Sequence, residues 1–255
     1  MVFTLLGTGT SQGVPIIGCQ CETCISDDPH DKRLRASALI QSQLSSVLID
    51  CGPDFRQQML RENVDRLDAV LITHEHNDHI IGLDDLRPLI FRNRKAMKIY
   101  AEARILNEIR ERFAYAFQYQ AYPGAPAFDL IPILPGDDIK IGDIQVKAHR
   151  AMHGPLPILG YSVANKIAYF TDTNEIPPET LSKMNKTPVL ILDMLREKKH
   201  HSHNSLEGAI KLAHKVNAGQ TYFIHMSHMM GPAKKWSQTL PPNIYASYDG
   251  LSFEI

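Results

Sequence analysis

Only four cysteines and one tryptophan occur among the 255 residues. No apolar run approaches the ~20 residues that span a bilayer. Neither sign of charge dominates, since 27 Lys plus Arg against 28 Asp plus Glu give a formal net charge of −1. Phosphate neutralisation calls for a clear basic surplus, so the composition argues against a dedicated nucleic-acid binder. The opening MVFTLLGTGTSQG lacks a basic stretch followed by a long apolar one and does not read as a signal peptide. A soluble cytoplasmic protein with no membrane role is the expectation. Hydrophobic residues at 44% and charged residues at 22% exclude a disordered or fibrous chain. The length can bury a sizeable core, and with no long linker or short repeat, residues 1–255 are expected to form one domain.

The few cysteines are unevenly spread, with Cys19, Cys21 and Cys24 together and Cys51 apart. A disulfide framework needs distributed partners and an oxidising compartment, and neither is indicated. Three thiolates this close repel one another unless a cation holds them, so Cys19-x-Cys21-x-x-Cys24 reads as a structural zinc site lacking its fourth ligand. Cys51 reads as a small buried residue.

Apolar runs predict strands at Val2–Leu6, Ala38–Ile40, Val47–Ile49, Ala69–Ile72, Lys98–Tyr100, Val189–Leu192 and Tyr222–Ile224. Helical spacing appears over Asp54–Arg61, in Leu83, Leu86, Leu89 and Ile90, over Ile105–Phe113, and in Leu206, Ile210 and Ala213. Tyr115–Pro135 is expected to be irregular, and Ile139–Phe170 to be mostly strands broken at His153-Gly154-Pro155. The tail Ile244–Ile255 is expected to form a hairpin turning at Asp249-Gly250. Two blocks of strands with interspersed helices point to an α/β sandwich.

Histidine is plentiful, with 12 copies. His74-Glu75-His76-Asn77-Asp78-His79 follows a continuously apolar strand and precedes a helical pattern. In an extended segment His74 and His76 project to the same side and can grip one metal, while Asp78 and His79 aim at a neighbouring point. Imidazoles and carboxylates suit zinc and similar ions. Apolar flanks, Val70-Leu71-Ile72 and Ile80-Ile81, argue against a surface histidine run.

A T-H-x-H-x-D-H motif after an apolar strand resembles the metallo-β-lactamase superfamily. The resemblance implies an α/β metallo-β-lactamase fold, a four-layer αββα sandwich, and one or two metals. It further implies that His74, His76 and His153 hold one ion, that Asp78, His79 and His225 hold the other, and that Asp172 bridges them. His153 is preferred to His149 because it sits where the strand breaks; His149, His214 and His30 read as surface or hydrogen-bonded histidines. Asp50, closing a strand, would orient a ligating imidazole. His225 and His228, three apart, point to opposite faces of a strand, which leaves His228 to complete the Cys19, Cys21, Cys24 site.

The opening Gly7–Pro15, the Gly18-Cys19-x-Cys21-x-x-Cys24 run and His225-Met226-Ser227-His228 resemble the phosphoribosyl 1,2-cyclic phosphate phosphodiesterase branch of that superfamily. The branch implies a metal-dependent hydrolase of a small phosphodiester, with two divalent metals, zinc or manganese, beside the structural zinc. His203, before the helix at Leu206, would be the general acid, with Asp78 counted both as ligand and as catalytic residue. Asn204 or Ser205 would cap that helix; Lys198–His201 reads as a solvated face. Arg35, Arg56 and Arg87 are arginines available to a phosphate.

Other readings stay open: tRNA 3′-processing, which needs a basic arm that Tyr115–Pro135 does not supply; ester, lactone or thioester hydrolysis; and di-iron redox chemistry, whose proteins carry a carboxylate where His76 stands. Relatives commonly form homodimers, although nothing in this sequence specifies one.

Overall fold

The computed structural model describes residues 1–118 and 122–255. Two seven-stranded sheets pack face to face. The first sheet is built from Val2–Gly7 (β1), Ser37–Gln41 (β2), Ser46–Ile49 (β3), Ala69–Leu71 (β4), Met97–Ala101 (β5) and Phe128–Pro132 (β6). The second uses Asp138–Ile141 (β7), Ile144–His153 (β8), Leu156–Val163 (β9), Ile167–Phe170 (β10), Val189–Asp193 (β11), Gln220–Ile224 (β12) and Ile244–Ala246 (β13). Ser252–Glu254 (β14) returns to the first sheet beside β1. The orders are β14-β1-β2-β3-β4-β5-β6 and β13-β12-β11-β10-β9-β8-β7. The helices are Glu22–Ile25 (α1), Phe55–Arg61 (α2), Asn77–Ile80 (α3), Arg87–Asn93 (α4), Ala103–Arg112 (α5), Pro178–Met184 (α6), Leu206–Val216 (α7) and Ala233–Trp236 (α8).

Side-chain alternation makes the layers. Val47 and Ile49 of β3 and Ala69 and Leu71 of β4 face the second sheet, meeting Leu159, Tyr161, Tyr169 and Ile191 in the central core. Leu48 and Val70 point the other way, onto Phe55 of α2, Ile90 of α4 and Ile105 of α5. Ala168 and Phe170 of β10 likewise meet Met184 of α6 and Leu212 of α7. Strands buried on both faces must be apolar throughout, which is why these runs do not alternate in sequence. The result is the expected four-layer αββα sandwich.

Three local expectations are corrected. The tail is no hairpin: β13 pairs parallel with β12, whereas β14 pairs antiparallel with β1. Between them the Asp249 carboxylate accepts the Thr8 amide at 2.9 Å, the Thr8 hydroxyl at 2.8 Å and the Leu34 amide at 2.7 Å. Those bonds send the chain across to the other sheet. Second, Tyr115–Pro135 contains a strand, β6, whose one proline, Pro132, is tolerated because the strand lies at a sheet edge; residues 119–121 of that stretch lie outside the described residues. Third, the Leu83–Ile90 pattern is divided between a 3₁₀ segment, Ile81–Leu86, and α4. Among the described residues, no helix is long and apolar enough to cross a membrane.

His149 sits within β8, its Nε2 2.7 Å from Ser162 Oγ and its ring 6.2 Å from that of Phe170. Burial, aided by Lys147 and Lys183, lowers its pKa to about 4. The unfolded ring takes a proton near the ordinary value, about 6.5, so between these limits the unfolded state binds more protons and stability falls as pH falls. We expect His149→Gln to flatten the acid side of the stability–pH curve by about 2 kcal/mol, after allowance for partial screening. Thermal unfolding of both proteins from pH 7 to 4 checks this; parallel curves would contradict it.

Candidate metal centre

The chemistry-bearing side chains collect where the chain leaves the C-terminal ends of β3, β4, β10, β11 and β12. Beyond β4 the chain stays extended through His76 and then turns into α3, which carries Asp78 and His79. Two glycines let that turn sit close. A Cβ on Gly52 would lie 2.0 Å from the Asp78 carbonyl oxygen, and one on Gly82 would lie 2.0 Å from the Gly52 oxygen. The Cys51 amide then donates to the His79 carbonyl at 2.7 Å, fixing α3 against the end of β3. Asp50, Asp172 and His225 each take left-handed backbone, with φ of 62°, 51° and 60°. Non-glycine residues rarely do this, and such strain concentrates at functional sites.

Two donor groups result. His74, His76 and His153 offer nitrogens mutually within 4.8 Å, as do Asp78, His79, Asp172 and His225 with their nitrogens and oxygens. Asp172 also lies within that distance of His153 and His203, between the groups. His74 Nε2 is 3.0 Å from His76 Nδ1. His79 Nε2 is 3.2 Å from Asp78 Oδ2 and 3.3 Å from Asp172 Oδ2; His225 Nε2 is 3.1 Å from Asp172 Oδ1. Yet Nε2 of His79 and Nε2 of His225 are buried and make no hydrogen bond. The atoms converge on common points rather than on one another. Donors about 3.3 Å apart are what tetrahedral bonds of about 2.0–2.1 Å require, so these residues fit divalent metal.

The charges agree with that fit. Burial alone would discharge His79, but the carboxylates of Asp78, Asp172 and Asp50 outweigh it and hold its pKa well above the ordinary value. Burial opposes His225 as well, and Asp172 raises its pKa to about 10. Against burial, His79 and His225 hold the Asp78 and Asp172 carboxyls well below the ordinary range. A cation entering this cluster displaces those protons. His74, with no such excess of carboxylates, is driven down by burial and is a neutral donor. His76 is exposed at the mouth, where a ligand can enter.

The far sides of the His79, His153 and His203 rings are held too. Fully buried Asp50 accepts from His79 Nδ1 at 2.8 Å and from the Thr73 amide at 2.8 Å. His153 Nδ1 donates to the Ser202 carbonyl at 2.8 Å. His203 Nδ1 lies 3.0 Å from Asp193 Oδ1, and Asp193 Oδ2 accepts the Asn204 amide at 2.9 Å. The His203 ring stacks on His225 at 4.7 Å and meets His153 edge-on at 4.5 Å. Sequence reasoning missed Asp193, although it closes an apolar strand as Asp50 follows one. Ser205, accepting from Gly208, is the cap of α7; Asn204 instead donates to the Thr173 carbonyl. His200 is half-buried, 5.1 Å from the His203 ring, not part of a fully solvated face. Arg35 is engaged by Asp54, and Arg87 by Asp84.

Around the start of α1, Cys19 Sγ and Cys21 Sγ each lie 3.3 Å from His228 Nδ1, and Cys24 Sγ lies 3.6 Å from it. Tetrahedral zinc with bonds of about 2.3 Å to sulfur and 2.0 Å to nitrogen sets an edge of about 3.5 Å. The Cys24 amide, working against burial, lowers the Cys21 thiol to about 6, which favours the ligating thiolate.

A family model described as Beta-lactamase superfamily domain matches residues 45–226. The chain belongs to the metallo-β-lactamase superfamily. It is 43% identical over 249 residues to a Porphyromonas gingivalis protein named Octanoyltransferase, taking in 97% of this chain and 50% of that protein. A Ribonuclease Z from Bradyrhizobium is 24% identical over 164 residues, 63% of this chain and 49% of that one. The chain thus spans about half the length of these curated relatives. Among solved structures, a diphosphatase from the PhnP family superposes with a TM-score of 0.92 at 36% identity, covering 100% of this chain and 97% of that one.

Asp50 touches a candidate ligand but none of the converging donor points. Asp50→Asn removes the charge that orients His79 and is expected to weaken metal retention about 10- to 100-fold. Competition against a graded chelator series measures it, and unchanged retention would leave Asp50 a purely structural residue.

Proposed function

We propose that this superfamily hydrolase cleaves a small, cyclic phosphodiester using two divalent metal ions, zinc or manganese. In this reading His74, His76 and His153 hold one ion, Asp78, His79 and His225 the other, and Asp172 lies between them. Cys19, Cys21, Cys24 and His228 hold a structural zinc. The observation that carries the reading is the His203–Asp193 pair set against both donor groups. An acid is needed there only if the leaving group departs poorly.

When bound, the metal pair supplies an activated water and neutralises charge growing on the phosphate oxygens. The protein's own residues orient and protonate. With Nδ1 engaged by Asp193, His203 has Nε2 free to give a proton to the departing sugar oxygen, which would otherwise leave as a costly alkoxide. Asp50 and the Ser202 carbonyl keep the His79 and His153 rings from rotating. His76, exposed, and Asp78, partly exposed, line the side from which a phosphate approaches.

Similarity to a diphosphatase of the PhnP family supports a second reading, hydrolysis of a phosphoanhydride. Its leaving group is a phosphate, far less basic than a sugar alkoxide, and needs little from His203. The tRNA reading draws on the Ribonuclease Z similarity, but Tyr115–Pro135 carries no Lys or Arg. The octanoyltransferase name belongs to a protein twice as long and warrants only a thioester in the assay.

The test is hydrolysis of a ribose 1,2-cyclic phosphate, 2′,3′-cyclic nucleotides, an aryl diester, a nucleoside diphosphate ester, a thioester and a precursor tRNA, with zinc or manganese loaded. Turnover of one cyclic diester is expected; silence on every diester with both ions bound would sink the reading. His203→Ala should slow the cyclic diester about 10²- to 10⁴-fold at unchanged metal content while sparing the aryl diester. Equal loss on both substrates would remove the acid role.

A further inference from the structure

One chain of ion pairs runs beside the metal centre without entering it. Glu75 stands between His74 and His76, and its Oε1 accepts from Nη1 of Arg104 on α5. Nη2 of the same guanidinium donates to the Pro157 carbonyl at 2.7 Å. Pro157 pairs with Met152 across the β8–β9 hairpin, next to the His153–Leu156 pair. One planar group therefore ties the loop bearing His74 and His76, from the first sheet, to the hairpin bearing His153, from the second.

The tie is braced from behind. Glu102 lies 3.9 Å from Arg104 Nη2 and takes both Nη atoms of Arg150, at 2.9 and 2.6 Å. Arg150 is on β8, three residues before His153. Arg112 differs, since it joins the loop only to its own helix: it donates to the Glu75 carbonyl at 2.7 Å, to Asn77 Oδ1 at 2.6 Å and to Glu108 Oε2 at 3.1 Å, and among the described residues reaches nothing on the second sheet. Arg104 is also the cation paired with the Glu75 carboxylate. The second oxygen of that carboxylate is buried and has no partner, and a buried carboxylate stripped of its cation is strongly unfavourable.

We infer that Arg104 is a positioning residue that sets the spacing between His153 and the His74–His76 pair. It thereby tunes the affinity of one metal subsite without touching the ion. The inference rests on the ligand roles proposed above. Rigid guanidinium geometry matters here, because one flat fork reaches a carboxylate and a carbonyl on different sheets and a lysine offers only a point charge. Backbone and side-chain links between the same segments, Leu159 N–H to the Thr73 carbonyl at 3.0 Å and the Tyr161 hydroxyl to the Ile72 carbonyl at 2.7 Å, hold the sheets together whether or not Arg104 is present. Its loss should therefore loosen a site more than the fold.

The test is stepwise removal of zinc from the full chain by chelator titration, with the ions per molecule counted by native mass spectrometry. In Arg104→Met, one of the ions is expected to be stripped about 10- to 100-fold more readily, with the others unchanged. Arg104→Met combined with Glu75→Gln relieves the unpaired carboxylate and should restore thermal stability but not that ion's retention. This second variant is read in the same titration if the single one folds poorly. Retention equal to the parent's, or equal weakening of both active-site ions, overturns the inference. A parent protein that holds no ion pair overturns the proposed function and this inference together; a parent that holds the pair while both variants retain it overturns the inference alone.

Discussion

Charge burial at one end of an apolar sandwich is the constraint on which the site depends. Asp50, Asp172, Asp193, His74, His79 and His225 are almost wholly shielded from water, and an isolated buried ion costs several kcal/mol even after relaxation. Each charged group is therefore paired: Asp50 with His79, Asp172 with His79 and His225, Asp193 with His203, while the neutral His74 ring meets Thr73 and His76 instead. Pairing leaves too many donors aimed at too few protons. The bare Nε2 atoms of His79 and His225 mark where the surplus goes, and a divalent cation answers it more fully than any rearrangement of protons.

Such a cluster holds its shape only if its supports are stiffer than the repulsions within it. The three apolar layers supply that stiffness, since Leu71, Tyr161 and Tyr169 lock the sheets face to face while α2, α5 and α7 close the outer surfaces. Left-handed backbone at Asp50, Asp172 and His225 costs about 1–3 kcal/mol each. It is tolerated because the strands before each residue fix where its chain must begin. Asp249 performs a comparable service at the tail, where its bonds to Thr8 and Leu34 let β13 and β14 belong to different sheets.

Much of this was legible in the sequence because burial on both faces leaves apolar runs, and chemistry at strand ends leaves polar residues directly after them. Ala69–Ile72 followed by His74–His79 announces both. Cys19, Cys21 and Cys24 are equally plain, whereas His228 was reached by setting it and His225 on opposite faces of a strand, and β12 ends at Ile224, before both, with His228 opening a 3₁₀ turn. What stayed hidden depends on contacts distant in sequence. Nothing near Ile244–Ile255 reveals that Thr8 and Leu34 will capture Asp249. Asp193 closes an apolar strand, yet its place in the site arises only when the segment before α7 brings His203 to it. Positive φ at Asp172 and His225 has no compositional mark, because the usual sign of that conformation is glycine. Arg104 looks like any other charge on an amphipathic helix until the second sheet brings Pro157 within reach.

Asp193 also explains why His203 and the converging donors form one unit rather than two neighbouring features. Its Oδ1 lies 3.0 Å from His203 Nδ1 and 3.5 Å from His225 Nδ1, so a single carboxylate oxygen faces both rings, which stack at an interplanar angle of 13°. A shift of either ring changes its distance to that shared oxygen. The spacing of the His203 and His225 rings is then referred to one carboxylate at the end of β11, not to two loops moving independently. An error of about 1 Å in such a distance can cost ~10²-fold in rate. In the proposed reaction, a fold that anchors His203 through a carboxylate already facing His225 removes that source of error, and this is the physical case for treating His203, Asp193 and His225 as parts of the same machinery.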